Sequence, residues 1–146
     1  MTEARVRAPW HLWLVGVVAV LFNSIGVFDF VMAMAQGAKY MASTGMTPEQ
    51  IAHYLDMPVW MTAVWAIGVS TAFLASILLL LRRRAAFAGF VLSLAAFLIS
   101  LLYTYVLTDS GAVMGRQMAI VGGVIALLLL FFSWYSRAMA RQAVLR

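Results

Sequence analysis

The stretch SIGVFDFVMAMA, Ser24 to Ala35, sets a single carboxylate, Asp29, between two phenylalanines in an otherwise apolar run. A carboxyl group in such surroundings must be paired, hydrated or protonated. Two chemistries follow. As a proton-coupling or cation-binding acid, Asp29 would work with Asn23, Tyr103, Tyr105 and Arg116 along a polar path. As a structural group, it would hydrogen-bond or ion-pair with Tyr103, Arg116 or Lys39 and lock its helix to a neighbour. Both readings stand at this level.

Glu49, His53 and Asp56 form a second constellation, at i, i+4 and i+7. On a helix that spacing sets two carboxyl groups and an imidazole on one face, a ligand set for a divalent metal. No fourth ligand accompanies them, and a plain solvated face has the same pattern. His11 lies far from His53 and, in the topology below, on the other side of a membrane. The two cannot clamp one haem. Cysteine is absent, which excludes disulfides, thiolate metal sites and cysteine nucleophiles. The ten methionines are scattered through apolar positions as core filler. There is no glycine-rich phosphate loop, no HExxH and no catalytic-triad order. The expectation is a protein that is not an enzyme and has no cofactor.

The elements that must position these residues follow from composition. Of 146 residues, 65% are hydrophobic and only 10% charged, with mean hydropathy +0.98. Soluble domains carry about 25% charged residues. So small a chain has too little interior to hide this apolar surface, so its solvent must be lipid. The net charge of +5 does not point to nucleic acid, because the basic residues punctuate apolar runs.

Four runs are long enough to cross a hydrocarbon core of roughly 30 Å. They cover approximately Leu12–Met34, Val59–Leu81, Ala85–Thr108 and Met118–Ser136. Trp10, Trp13, Trp60, Trp65, Trp134 and Tyr135 mark span ends as interfacial aromatics do. Arg5, Arg7, Arg82, Arg83, Arg84, Arg137, Arg141 and Arg146 fall on one side, and only Lys39 and Arg116 on the other. This eight-to-two split places both termini in the cytoplasm. Arg5 and Arg7 followed by an apolar run and Ala33-Met34-Ala35 imitate a signal peptide. The run exceeds a usual signal core of about 7–15 residues, so the segment is expected to stay as the first span.

The Arg82–Arg84 connection allows only a tight turn, pairing spans two and three; TDSGAVMG pairs three and four. The longer connection from Ala35 to Pro58 carries a helix start, with Thr47 as N-cap, Pro48 first and Gln50 at the capping-box position. A short amphipathic helix over residues 47–57 is expected at the extracytoplasmic surface, with Ile51, Tyr54 and Leu55 on its apolar face. Small residues supply packing seams: Gly16, Ala19, Asn23, Gly26 and Ala33 on span one; Gly89, Ser93, Ala96, Ser100 and Thr104 on span three; Gly115, Ala119, Gly122 and Ala126 on span four. Span two has small residues on two sides and should touch two neighbours. The expected fold is all-α, one four-helix membrane domain over residues 1–146.

Pro9–Trp13 (PWHLW), Asn23, Val27–Phe30 (VFDF), Thr47–Gln50 (TPEQ), Tyr54 and Val64–Val69 (VWAIGV) together cover roughly the first half. In these features the chain resembles a family of small four-span bacterial inner-membrane proteins whose members often carry the name "sugar transporter". The resemblance implies a bacterial cytoplasmic membrane and carries no site residues with it. Two functional expectations remain. Spans two to four offer little beyond Ser70, Thr71, Ser93, Ser100 and tyrosines to line a hydrophilic path. That shortage favours an accessory or scaffold protein acting through helix packing, with the bilayer and another membrane protein or a second copy as partners. The alternative is a small-solute or proton-coupled transporter, acting as an oligomer, with Asp29 as its acid.

Overall fold

The structure, a computed structural model, describes residues 6–146; Arg5 lies outside them. It is all-helical, with four helices long and apolar enough to cross a membrane. α1 (Trp10–Gln36), α4 (Val59–Leu80), α5 (Ala85–Leu102) and α6 (Gly111–Arg141) are these helices. α2 (Ala38–Ser43) and α3 (Pro48–Leu55) lie between the first two. In hydrocarbon each backbone polar group must be satisfied within its own segment, so uninterrupted apolar runs fold as helices. The 22 residues of α4 rise roughly 33 Å, enough to cross. Prolines set the entries: Pro9 and Pro58, both extended, precede α1 and α4.

α4 packs between α1 and α5, and α5 packs on α6. The seams explain these pairings. Gly16, Ala19, Asn23 and Ala33 are buried on α1, while Leu14, Leu21, Ile25 and Phe28 stand outward. Gly89 brings α5 close to α4: a Cβ there would sit 2.8 Å from the Ala75 Cβ and 3.4 Å from the Thr71 carbonyl. Ser93 Oγ donates across the same seam to the Gly68 carbonyl at 2.9 Å. The seam expected on the fourth span is a different matter. Gly122 is buried, but Gly115 and Ala119 are exposed, and α6 buries Leu129, Phe132, Tyr135 and Met139 instead. A seam along the whole span presumes a straight helix in contact throughout, and α6 is kinked at Gly115.

The core is concentrated at the end that holds the Arg82–Arg84 turn. Leu12, Leu79, Phe90 and Phe132 are almost fully enclosed there. The Phe90 and Phe132 rings lie 5.5 Å apart, and Phe22 meets Phe132 at 6.4 Å. His11 Nδ1 and the Tyr135 hydroxyl share a hydrogen bond that holds α1 to α6. Residues 142–146 fold back over this end. Arg84 N donates to the Arg146 carbonyl (2.8 Å) and Arg146 N to that of Arg82 (2.7 Å), burying Val144 and Leu145. The Arg82 guanidinium donates to the carbonyls of Val144 and Val6, and Arg84 Nε to that of Leu145.

At the other end three features depart from expectation. α5 does not run straight to Thr108. It widens into a π-helical turn, Tyr103–Leu107, closed by Thr108 N to the Tyr103 carbonyl at 2.9 Å. α2 is an additional helix, started where Gly37 ends α1. α6 begins at Gly111 and runs on to Arg141, beyond both expected ends, with a break at Gly115.

α3 forms with its full capping box: Thr47 Oγ1 accepts from Gln50 N (3.2 Å), and Gln50 Oε1 accepts from Thr47 N (3.1 Å). Its expected faces hold only in part: Ile51 and Tyr54 are half-buried and Glu49 and Asp56 exposed, but two residues depart. Leu55 is 55% exposed, whereas His53, placed on the polar side, turns inward. α3 docks by aromatic rings, with His53 against Tyr103 (6.0 Å) and Tyr54 against Trp65 (5.7 Å).

Candidate functional site

Because the core and the His11–Tyr135 bond hold α1 to α6 at one end only, a cavity of about 490 Å³ is left at the other. α1 contributes Asp29 and Ala33, α2 Tyr40 and Met41, α3 Gln50 and Tyr54, and α4 Trp65. The wall from α6 is Met114, Gly115, Arg116, Gln117 and Met118. Both chemistries needed by a small-molecule pocket are present: aromatic and thioether surface, and a few polar groups of fixed position.

The Tyr40 hydroxyl donates to Asp29 Oδ1. Gly37 makes this possible, since it breaks the helix after α1 and lets α2 turn back so that Tyr40 overhangs Asp29. The bond to Asp29, with some desolvation, raises the Tyr40 pKa above its ordinary value, so the phenol remains a donor at neutral pH. Tyr54 is also pushed up, chiefly by burial and then by Tyr105 and Asp29. Asp29 itself is exposed to the cavity side rather than sunk in the bundle.

The α6 wall has its own origin. Gly115 adopts φ 75°, ψ 176°, a conformation essentially reserved to glycine, and interrupts the α6 ladder. Gln50 Nε2 donates to the carbonyls just before the break, Val113 (3.2 Å) and Met114 (3.1 Å). The helix restarts after Gly115, and a restarting helix leaves its first N–H groups without carbonyl partners. Arg116, Gln117 and Met118, which form that first turn, line the cavity.

Of the residues expected along a polar path, Asp29 and Arg116 meet at this cavity and Asn23, Tyr103 and Tyr105 do not line it. Asn23 is buried within the bundle, where its Nδ2 donates to the Ala19 carbonyl (2.9 Å) and to Ser76 Oγ (2.8 Å). It is a packing group. Tyr103 belongs to the ring cluster with His53 and Trp60, and the Tyr105 ring lies against Gly111. The partner of Asp29 is Tyr40, not Tyr103, Arg116 or Lys39. Tyr40 is eleven residues along, too far for a helical-neighbour argument, and only the reversal at Gly37 marks it. Gln50 was legible as a cap but not as a bridge to α6.

Glu49, His53 and Asp56 do not converge. Among the described residues no three His, Cys, Asp or Glu side chains gather as a metal site. α3 ends at Leu55 with Asp56 as its cap, and the His53 ring points into the aromatic cluster. Its Nε2 is shielded from solvent with no hydrogen-bond partner, and burial lowers its pKa below 6.5. His11 and His53 lie at opposite ends of the bundle.

No known protein family, curated protein or solved structure matches the chain.

Proposed function

We propose that this small integral membrane protein captures a small polar solute at its Asp29 end, as a binding component of a larger membrane assembly rather than as a complete conduit. The observation that carries this is the cavity of about 490 Å³ set against a sealed opposite end. That volume suits a small organic molecule. Asp29, Tyr40, Gln50 and Arg116 offer polar contacts, and Trp65 and Tyr54 offer ring faces.

The polar groups beyond the cavity support the accessory half of the reading. Asn23, Ser76 and Ser93 are spent on internal hydrogen bonds, and Phe22, Phe90 and Phe132 fill the space beneath them. Arg7, the Arg82–Arg84 turn, Arg137, Arg141 and Arg146 share the sealed end, while Lys39 and Arg116 are at the open one. By the positive-inside rule the sealed end faces the cytoplasm and the cavity opens outward. The family resemblance adds a bacterial cytoplasmic membrane.

The absence of cysteine makes the test simple. Single substitutions Asp29→Cys, Asn23→Cys and Phe28→Cys are treated in whole cells with a membrane-impermeant thiol reagent, with Ser43→Cys as the exposed control. Fast labelling of Asp29→Cys, with silence at Asn23→Cys and the outward-facing Phe28→Cys, is expected. Silence at Asp29→Cys in folded protein would sink the binding reading. Labelling at Asn23→Cys would replace the accessory reading with a water-filled path, and hence with transport.

A further inference from the structure

Two pairs of arginines at the sealed end have different employment. Arg82 and Arg84 are committed to main-chain carbonyls and hold the fold-back of residues 142–146. Arg137 and Arg141 are exposed, one helical turn apart on α6, beside a groove of about 250 Å³ lined by Trp134, Ala138 and Gln142. Among the described residues no acidic side chain serves them. The acidic side chains there are Asp29, Glu49, Asp56 and Asp109, all at the other end of the bundle.

We infer that Arg137 and Arg141 bind the phosphate of an anionic phospholipid headgroup. Guanidinium groups at i and i+4 project side by side and match phosphate oxygens with paired N–H donors. A lipid, rather than a free anion, is indicated by what adjoins the groove. Leu127, Phe131 and Trp134 stand exposed at i, i+4 and i+7 on α6, and Ala138 and Arg141 continue the same stripe. An acyl chain can lie along this apolar stripe while its headgroup reaches the two arginines. Trp134, 62% exposed at the junction, is the residue type that favours the headgroup level. The site is separate from the Asp29 cavity and does not depend on what that cavity binds.

Native mass spectrometry of the detergent-purified protein, titrated with phosphatidylglycerol or phosphatidylcholine, tests the assignment. Phosphatidylglycerol is expected to bind the wild type in preference to phosphatidylcholine, and excess inorganic phosphate not to displace it. Arg137→Gln/Arg141→Gln should weaken phosphatidylglycerol binding roughly twenty-five-fold, from two lost charges each worth about fivefold. Arg83→Gln, an exposed arginine of the same end outside the groove, should leave it unchanged. Should the double variant fail to fold, Arg141→Gln alone reads a roughly fivefold loss. Equal binding of the two lipids, an equal loss in Arg83→Gln, or full binding by the double variant would overturn the site. Displacement by inorganic phosphate would overturn its assignment to lipid.

Discussion

The Gln50 side-chain amide donates to the Met114 carbonyl at 3.1 Å, tying α3 to the broken start of α6. The same side chain completes the capping box of α3 and takes the Val113 carbonyl as well. Gln50 thus serves two helix ends at once. Its replacement by alanine removes half of the capping box and leaves two carbonyls short of a donor. Amide hydrogen exchange over residues 48–55 is expected to speed up, reflecting a local loss of about 1–2 kcal/mol. Exchange in α4 and α5 should be untouched. Unchanged protection of α3 in Gln50→Ala would show that ring stacking alone docks it.

Gly115 offers a test of strain without crowding. A Cβ there would meet nothing within 4 Å, so Gly115→Ala adds no clash. Its φ of 75° is the whole difficulty. The backbone must bear about 1–3 kcal/mol of strain or straighten into continuous helix. Either result lowers the thermal midpoint or closes the α6 wall of the cavity. Thermal unfolding in detergent, combined with labelling of Asp29→Cys in the Gly115→Ala background, reads both. A variant with wild-type midpoint and labelling would mean that the break is not needed.

His53 predicts the pH dependence. Burial holds its pKa below the ordinary 6.5 because Nε2 is shielded among the Tyr54 and Tyr103 rings with no partner. Below pH 6.5 the unfolded chain takes up a proton that the folded one resists until its own lower pKa is reached. Stability is therefore full above pH 6.5 and declines as the pH falls through that window. His53→Phe keeps a ring in the cluster and removes the titration. Its thermal midpoint should flatten between pH 6.5 and the lower pKa of the folded histidine. The same slope in His53→Phe and wild type would assign the effect to another group.

The four long helices were readable because lipid imposes one solution on long apolar runs, and the positions of proline and arginine mark where they enter and turn. Gly16, Ala19 and Asn23 on α1 and Gly89, Ser93 and Ala96 on α5 were readable as seams because small residues let backbones approach. The Asp29 end resisted for a different reason. Tyr40 reaches Asp29 only through a reversal at Gly37, and Gln50 reaches Met114 only through a break at Gly115. Both depend on single backbone angles that no hydrophobic period encodes. His53 was misplaced because the helical wheel treats histidine as polar, while its ring packs as an aromatic once Tyr103 stands opposite.

The buried fold-back of residues 142–146 makes the last prediction, one that periodicity does not suggest. Leu145 has no exposed surface and packs in the cluster of Leu12, Phe90 and Phe132, while Arg82 clamps the Val144 carbonyl at 3.0 Å. Leu145→Ala leaves a void among side chains already held by four helices, at a cost of about 2–4 kcal/mol. Arg82→Gln loses charge-assisted hydrogen bonds to Val144 and Val6, with a smaller cost of about 1–3 kcal/mol. Since both changes release the same segment, the double variant should lose less than the sum. Thermal unfolding of the wild type, both single variants and the double variant completes the cycle. Strict additivity would mean that the Arg82 clamp and the Leu145 plug stabilise this end independently.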